Sequence, residues 1–270
     1  MTTIREELAA ATSSLAEVGV EAPRLDAELL LARVLGVDRP QLVMRADEEA
    51  SGDDRTRYLA LLTRRVKREP IAYIFGRKEF RRLNLAVDPR VLIPRPETEF
   101  LVEVGLSLPV GVRVADVGTG SGAVALALKD ERPDLDVVGV DVSSGALSVA
   151  RLNASRLRLE VEFVRADLLE GISCDAVLSN LPYVADDELL PPEVARYEPQ
   201  SALVGGPDGL DVVRRLVVQV GERSEIKLLA LEIGYKQSDA VAGLLADAGF
   251  AEVERIRDLA GHERVIVGRR

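Results

Sequence analysis

The run Asp116-Val-Gly118-Thr119-Gly120-Ser121-Gly122 is the part of the chain richest in residues that could handle a ligand. Glycines at alternate positions permit a tight turn and let a ligand approach the backbone closely. The spacing differs from the dinucleotide fingerprint G-x-G-x-x-G, because position 123 is Ala and the third glycine falls one residue early, at Gly122. Asp116 adds negative charge beside the loop, which suits a cationic ligand and disfavours a phosphate. Asp141 lies 23 residues after Gly118, an offset at which an acid commonly accepts hydrogen bonds from ribose hydroxyls. Asp167 is a third acid, able to accept from an adenine amino group or simply to cap a turn in Ala-Asp-Leu-Leu-Glu-Gly. Asn180-Leu181-Pro182-Tyr183 adds an amide, a carbonyl and an aromatic ring. In isolation it reads as a turn containing proline. The only cysteine is Cys174 and the only histidine is His262. One Cys and one His exclude an internal disulfide and a Cys/His zinc site, so no metal is expected. A Ser-His-Asp hydrolase would have to use His262, eight residues from the last residue given.

The elements that must carry these residues alternate strand and helix from position 110. Strands are expected at 113–117, 136–140, 161–164, 175–179, 226–233, 251–257 and 263–268. Helices are expected at about 123–130, 144–156, 209–222 and 236–248. Apolar strands separated by helices imply a mostly parallel sheet covered on both faces. The last two strands are joined by Asp-Leu-Ala-Gly-His and should pair antiparallel. In such a sheet ligands bind at the carboxyl ends of strands near the switch point, which would set Asn180 across a crevice from the glycine loop. Residues 1–72 read as a small helical bundle, with Leu25, Leu29, Leu30, Leu31, Val34 and Leu35 at helical spacing. Residues 73–95 read as a β-hairpin linker, and 96–270 as the α/β domain.

The chain has 270 residues, 47% of them hydrophobic and 30% charged, which is enough to bury a core. Its net charge of −10 opposes bulk coating of nucleic acid. No apolar run approaches a membrane span. The first residues lack the basic-then-apolar order of a signal peptide. A cytoplasmic protein is therefore expected. Residues 64–95 hold ten basic residues (Arg64, Arg65, Lys67, Arg68, Arg77, Lys78, Arg81, Arg82, Arg90 and Arg95) against Glu69, Glu79 and Asp88. That +7 segment is either a contact surface or a solvated face.

A mostly parallel sheet ending in an antiparallel hairpin is the order expected of a class I methyltransferase. Asn180-Leu181-Pro182-Tyr183 resembles the (Asn/Asp/Ser)-x-Pro-(Tyr/Phe) motif of amino-methyltransferases, which act on planar NH2 groups. Such a nitrogen is a poor nucleophile because its lone pair is delocalised. The Asn180 side-chain oxygen and the Leu181 carbonyl would accept its two N–H bonds, aim it and stabilise its developing positive charge. Tyr183 would stack on the planar group. No strong base is needed before attack.

The resemblance extends along nearly the whole chain. RLDAELLLARVLG (24–36), LLTRRVKREPIAYIFGRKEF (61–80), LIPRPETE (92–99), DVGTGSGAVALAL (116–128), SNLPYV (179–184), RYEPQSALVGGPDGLD (196–211), LEIGY (231–235) and RDLAGHERVIVGR (257–269) together look like the release factor glutamine methyltransferases, the PrmC/HemK family. The resemblance implies a seven-stranded, Rossmann-like class I domain with a helical domain and hairpin linker before it. It also implies S-adenosyl-L-methionine as methyl donor. The acceptor would be the glutamine side-chain nitrogen in the Gly-Gly-Gln loop of bacterial peptide-chain release factors. By position, Gly118, Thr119, Gly120, Ser121 and Gly122 would line the methionine part of the cofactor and Asp141 the ribose, with Asp116 also in the cofactor site, while Asp167 and Leu168 would flank the adenine. Asn180 would contact both cofactor and substrate. Leu181, Pro182 and Tyr183 would hold the glutamine, with Arg95, Pro96, Glu97 and Thr98 covering the site. The family usually has Asn-Pro-Pro-Tyr. Leu181 keeps the carbonyl, adds an N–H and frees φ. Asn-Leu-Pro-Tyr also occurs in ribosomal RNA adenine dimethyltransferases, which lack LIPRPETE and carry their helical domain at the other end. RNA adenine or another protein amide is thus the alternative acceptor.

Overall fold

A computed structural model describes residues 2–270, which form two compact units. The first runs to Phe75 and takes in Pro191–Tyr197, and the second comprises Gly76–Leu190 and Glu198–Arg270. No helix among the described residues is long and apolar enough to cross a membrane.

The first unit holds α1 (Ile4–Glu17), α2 (Pro23–Leu35), α3 (Arg39–Met44), α4 (Gly52–Val66) and α5 (Ile71–Phe75). Helix α1 starts at a capping box: the Thr3 hydroxyl accepts from the Glu6 N–H, and the Glu6 carboxylate accepts from the Thr3 N–H. Helix α2 starts at Pro23 and stops at Gly36, whose φ of 66° is left-handed. Leu8, Leu15, Leu30, Leu31, Leu42 and Tyr58 meet in one core. The buried Arg65 guanidinium lies 2.6 Å from Asp26 and 3.0 Å from Glu193, and Glu193 also holds Arg68 at 2.6 Å.

The second unit opens with an antiparallel hairpin of β1 (Arg77–Phe80) and β2 (Leu83–Ala86). Then come α6 (Glu99–Leu106), β3 (Arg113–Val117), α7 (Ala123–Glu131), β4 (Asp136–Asp141), α8 (Ser144–Leu157), β5 (Glu162–Arg165) and β6 (Ala176–Asn180). The short α9 (Pro192–Tyr197) belongs to the first unit. The chain returns with α10 (Asp211–Gly221), β7 (Leu228–Glu232), α11 (Ser238–Asp247), β8 (Glu252–Arg257) and β9 (Glu263–Arg269). The sheet has seven strands in the order β5-β4-β3-β6-β7-β9-β8, parallel except where β9 pairs with β7 and β8. This is the class I methyltransferase architecture. Strand periodicity divides the core: Val114, Ala176, Leu178, Leu228 and Ala230 face α6, α7 and α8, while Ala115, Val117, Val177, Leu229 and Leu231 face α10 and α11.

Two helices lack a clear sequence signal. Helix α6 has no side-chain cap to mark its start, and α9 buries none of its residues, so it has no apolar stripe to mark it. Asp141 and Asn180 also lie one residue inside strands expected to stop before them.

Candidate active site

The order of strands reverses between β3 and β6, and the crevice forms there at their carboxyl ends. Val117 and Ser179 are register partners, and the buried Ser179 hydroxyl donates to the Val117 carbonyl at 2.6 Å. The next residues on each strand, Gly118 and Asn180, are therefore forced together. Gly118 has φ 76°, and a Cβ there would stand 3.3 Å from both the Asn180 carbonyl oxygen and Leu181 Cδ2. Only a glycine fits this conformation and this separation without strain.

Carboxylates fix the glycine loop from below. Asp116 Oδ2 accepts from the Thr119 hydroxyl at 2.6 Å and the Ala125 N–H at 3.1 Å. Burial pushes its carboxyl up to about 6, against these two hydrogen bonds. Asp141 accepts from the Gly120 N–H at 3.0 Å through Oδ2 and from the Ser143 N–H at 2.8 Å through Oδ1. Burial raises its pKa too, and the backbone donors lower it. Asn153 reaches in from α8, donating to the Ser121 carbonyl at 2.9 Å and bonding Ala86 of the hairpin in both directions. Nothing in the sequence around Asn153 marks this role, because its partners lie 32 and 67 residues away.

These loops border one cavity of about 500 Å³. Of the residues singled out by sequence, Asp116, Gly118, Thr119, Gly120, Ser121, Asp141, Asp167, Leu168, Asn180, Leu181, Pro182, Arg95 and Thr98 line it. Gly122 lies behind the lining, where a Cβ would meet Leu126 at 3.0 Å and Phe163 at 3.3 Å. Asp167 is engaged in an ion pair with Arg215 at 2.6 Å, and Leu168 takes φ 57°. Pro96, Glu97 and Tyr183 also stand outside the lining. The Tyr183 carbonyl accepts from Gln237 Nε2 at 2.9 Å, and burial pushes its phenol pKa up. The backbone around it has no slack, since a Cβ on Gly205 would meet the Pro182 oxygen at 2.4 Å and one on Gly209 the Tyr183 oxygen at 2.1 Å. Leu181 is buried among Val117, Val140, Leu168 and Leu210. Its packing thus constrains the loop at a position where the resemblance expects a proline ring.

The segment before α6 is held by Glu198, whose side chain is 0% exposed. Glu198 accepts from the Ile93 N–H at 3.1 Å and pairs with Arg95. The segment ends at Thr98, whose hydroxyl oxygen accepts from Asn180 Nδ2 at 3.1 Å. Glu232, the register partner of Asn180, is buried at the end of β7 close to Thr98. An acid closing the otherwise apolar Leu-Leu-Ala-Leu-Glu is the signal that could have found it.

The +7 segment proves largely neutralised. Arg64, Arg65, Arg68, Arg81, Arg82, Arg90 and Arg95 all form ion pairs with carboxylates. Arg81 in particular is mostly buried between Glu131 and Glu103. A contact surface formed by all ten cations is thus replaced by a set of structural ion pairs. Among the described residues no cluster of His, Cys, Asp and Glu could hold a metal.

Comparison with known proteins agrees with this geometry. Residues 6–76 match the PrmC N-terminal domain and residues 96–195 the methyltransferase small domain. The release factor glutamine methyltransferase of Geobacter sulfurreducens is 40% identical over 274 residues, covering 99% of this chain and 96% of its own. That of Neisseria gonorrhoeae is 44% identical over 255 residues, covering 92% and 93%. A methyltransferase from Pyrococcus furiosus shares the fold at 15% identity, with a TM-score of 0.52 over 81% of this chain and 98% of that one. With identities of this size across almost the full length of both chains, the protein belongs to the release factor glutamine methyltransferase family.

Proposed function

We infer that this chain transfers a methyl group from S-adenosyl-L-methionine to the side-chain amide nitrogen of the glutamine in the Gly-Gly-Gln loop of bacterial peptide-chain release factors, and so tunes translation termination. One observation carries the reading: in a chain of this family, Gly118 lies against the Asn180 carbonyl and the Leu181 side chain, so the glycine loop and the Asn-Leu-Pro-Tyr loop border one cavity. The reading implies a cytoplasmic protein that meets its substrate as a folded partner.

The cavity suits the donor. Gly118 and Gly120 have positive φ and offer bare backbone. The Asp141 carboxylate accepts from the Gly120, Val142 and Ser143 N–H groups, and of its roughly four lone-pair directions it keeps at least one for a ribose hydroxyl. Asp116 supplies negative charge where a sulfonium would be favoured over a phosphate. When bound, S-adenosyl-L-methionine supplies an electrophilic methyl group. The protein's task is then to orient a weak nucleophile. Asn180 Oδ1 and the Leu181 carbonyl accept the two amide N–H bonds, which fixes the nitrogen and strengthens as it turns positive. Glu198 and Arg95 hold the covering segment that ends at Thr98. This assignment needs neither imidazole nor metal.

The test uses purified protein, methyl-labelled donor and a recombinant release factor. Label should enter the wild-type factor and be lost when its Gly-Gly-Gln glutamine is changed to glutamate. Incorporation that survives this change, or that occurs only into added RNA, would reject the acceptor.

A further inference from the structure

The side-chain amide of Asn180 is useful to the acceptor only in one of its two flipped orientations. With its oxygen towards the substrate it accepts an N–H, and with its NH2 there it repels one. Among the described residues, one polar contact bears on this choice: Asn180 Nδ2 donates to Thr98 Oγ1 at 3.1 Å. The Thr98 hydroxyl would satisfy an Asn in either orientation if its own proton were free to turn. An acceptor for that proton stands close by: the buried carboxyl of Glu232, the register partner of Asn180. An ionised carboxylate only accepts, so a Thr98 hydroxyl turned towards it donates there and accepts from Asn180.

We propose that Thr98 and Glu232 are positioning residues for methyl transfer, with Glu232 fixing the Thr98 hydroxyl so that Asn180 presents its oxygen to the acceptor nitrogen. The proposal rests on the reading of Asn180 as the amide acceptor. The place of Glu232 is otherwise hard to explain. It is 2% exposed, and its Oε2 has no hydrogen-bond partner among the described residues. A buried carboxyl with an unpartnered oxygen is destabilising, and such groups concentrate at functional sites. Its neighbours are Glu97 and Arg95 from the segment before α6, Arg264 from β9, and Tyr183 from the loop after β6. Burial is the largest influence and, with Glu97, raises the Glu232 pKa to about 7, while Thr98, Arg264 and Arg95 oppose the shift. Below that pH the carboxyl is neutral and can itself donate to Thr98. The threonine proton is then released towards Asn180, and the amide is free to flip.

Three variants test this, with kcat, KM for the release factor, cofactor Kd and Tm measured for each. Thr98→Val removes the hydroxyl at nearly constant shape and should lower kcat about 30-fold, with cofactor Kd within about threefold. Thr98→Ser restores the hydroxyl and should recover most of the loss. Glu232→Gln offers Thr98 both a donor and an acceptor at every pH, so it no longer holds the threonine proton in one direction. It should therefore fold at least as stably as wild type, but stay at a low, pH-independent kcat. Wild-type kcat should rise as pH passes through about 7. A merely structural role would change Tm without flattening the pH profile. The proposal is overturned if Thr98→Val keeps kcat within about threefold of wild type. It fails equally if Thr98→Ser does no better than Thr98→Val, or if Glu232→Gln retains the wild-type pH profile. Wild-type protein that leaves the release factor unmethylated would instead reject the function itself.

Discussion

Asn180 and Asp116 lie within one loop of each other, yet they do opposite kinds of work. Asn180 lines the cavity with an amide whose nitrogen is already engaged by Thr98, so its oxygen is the group left to meet a substrate. Asn180→Ala should therefore reduce turnover by at least about 100-fold while leaving cofactor Kd within about tenfold, read by label incorporation and by calorimetry. Turnover near wild type would remove the amide from the mechanism. Asp116 holds the glycine loop in shape, and its burial has a consequence for stability. The folded carboxyl titrates at about 6 rather than 3.8. Between these values the folded state keeps a proton that the unfolded chain has released, so stability falls as pH rises. Above pH 6 the whole penalty applies, roughly 3 kcal/mol from the size of the shift. Asn at this position can still accept from Thr119 and Ala125 without being ionised. Urea unfolding of the cofactor-free protein should thus find Asp116→Asn more stable than wild type at pH 8, with a smaller advantage at pH 5. An advantage larger at pH 5 would contradict the assignment. Both residues were legible in the sequence, because a polar residue at a strand end beside a glycine run has few other uses. Thr98 was legible only as part of a block, and Glu232 only as a letter in another. Their meaning comes from contacts with residues 82 and more positions away, which spacing along the chain does not report.

At the scale of elements, the site is made by strand register and by loops that have no room for side chains. The pairing of Val117 with Ser179, and of Asn180 with Glu232, decides which residues face each other at the end of the sheet. A slip of one residue would turn every side chain to the other layer of the core. The order of strands and helices was legible because short apolar runs, buried on both faces of the sheet, alternate with segments of helical period. Strand ends and the uncapped α6 were not, because they depend on tertiary partners. Gly118 and Gly120 separate two constraints that the sequence shows as one. Both have positive φ, but a Cβ on Gly118 meets Asn180 and Leu181 at 3.3 Å, whereas one on Gly120 finds only the Gly118 oxygen at 3.9 Å. Gly120→Ala should lose about 1 kcal/mol from the backbone conformation alone. Gly118→Ala should lose more and should also weaken cofactor binding at least tenfold, by pushing the two loops apart. Equal effects of the two substitutions on stability and on cofactor Kd would show that the close approach does not matter. Helix α9 presents a second case. It buries none of its own residues, and Glu193 anchors it through Arg65 and Arg68 within the first unit. Glu193→Ala leaves the buried Arg65 with Asp26 as its remaining carboxylate partner. It should lower stability by about 3 kcal/mol in urea unfolding. A loss under about 0.5 kcal/mol, the size of a surface substitution, would refute that anchoring.

For the molecule as a whole, the net charge of −10 and the +7 segment describe composition, and the fold redistributes both. Seven of the ten cations are spent on carboxylates within their own unit. Lys67 and Arg77 are exposed, Lys78 is half-buried, and none of these three is ion-paired among the described residues. A basic surface capable of steering a polyanion needs many desolvatable cations on one face, and its binding falls steeply with salt. The three left in this segment do not provide that by themselves. Under the proposed function, charge in this segment is therefore not expected to steer the release factor. Two measurements separate these views. Arg81→Glu would place a carboxylate among Glu99, Glu103 and Glu131. It should unfold the protein at a urea midpoint well below wild type, by about 3 kcal/mol or more. Arg77→Glu, at an exposed position of the hairpin, should leave stability within about 0.5 kcal/mol. With folding thus controlled, KM for the release factor should change less than about threefold between 50 and 200 mM salt, in wild type and in Arg77→Glu alike. A tenfold rise in wild-type KM over that range, abolished in Arg77→Glu, would instead restore the hairpin as an electrostatic docking surface.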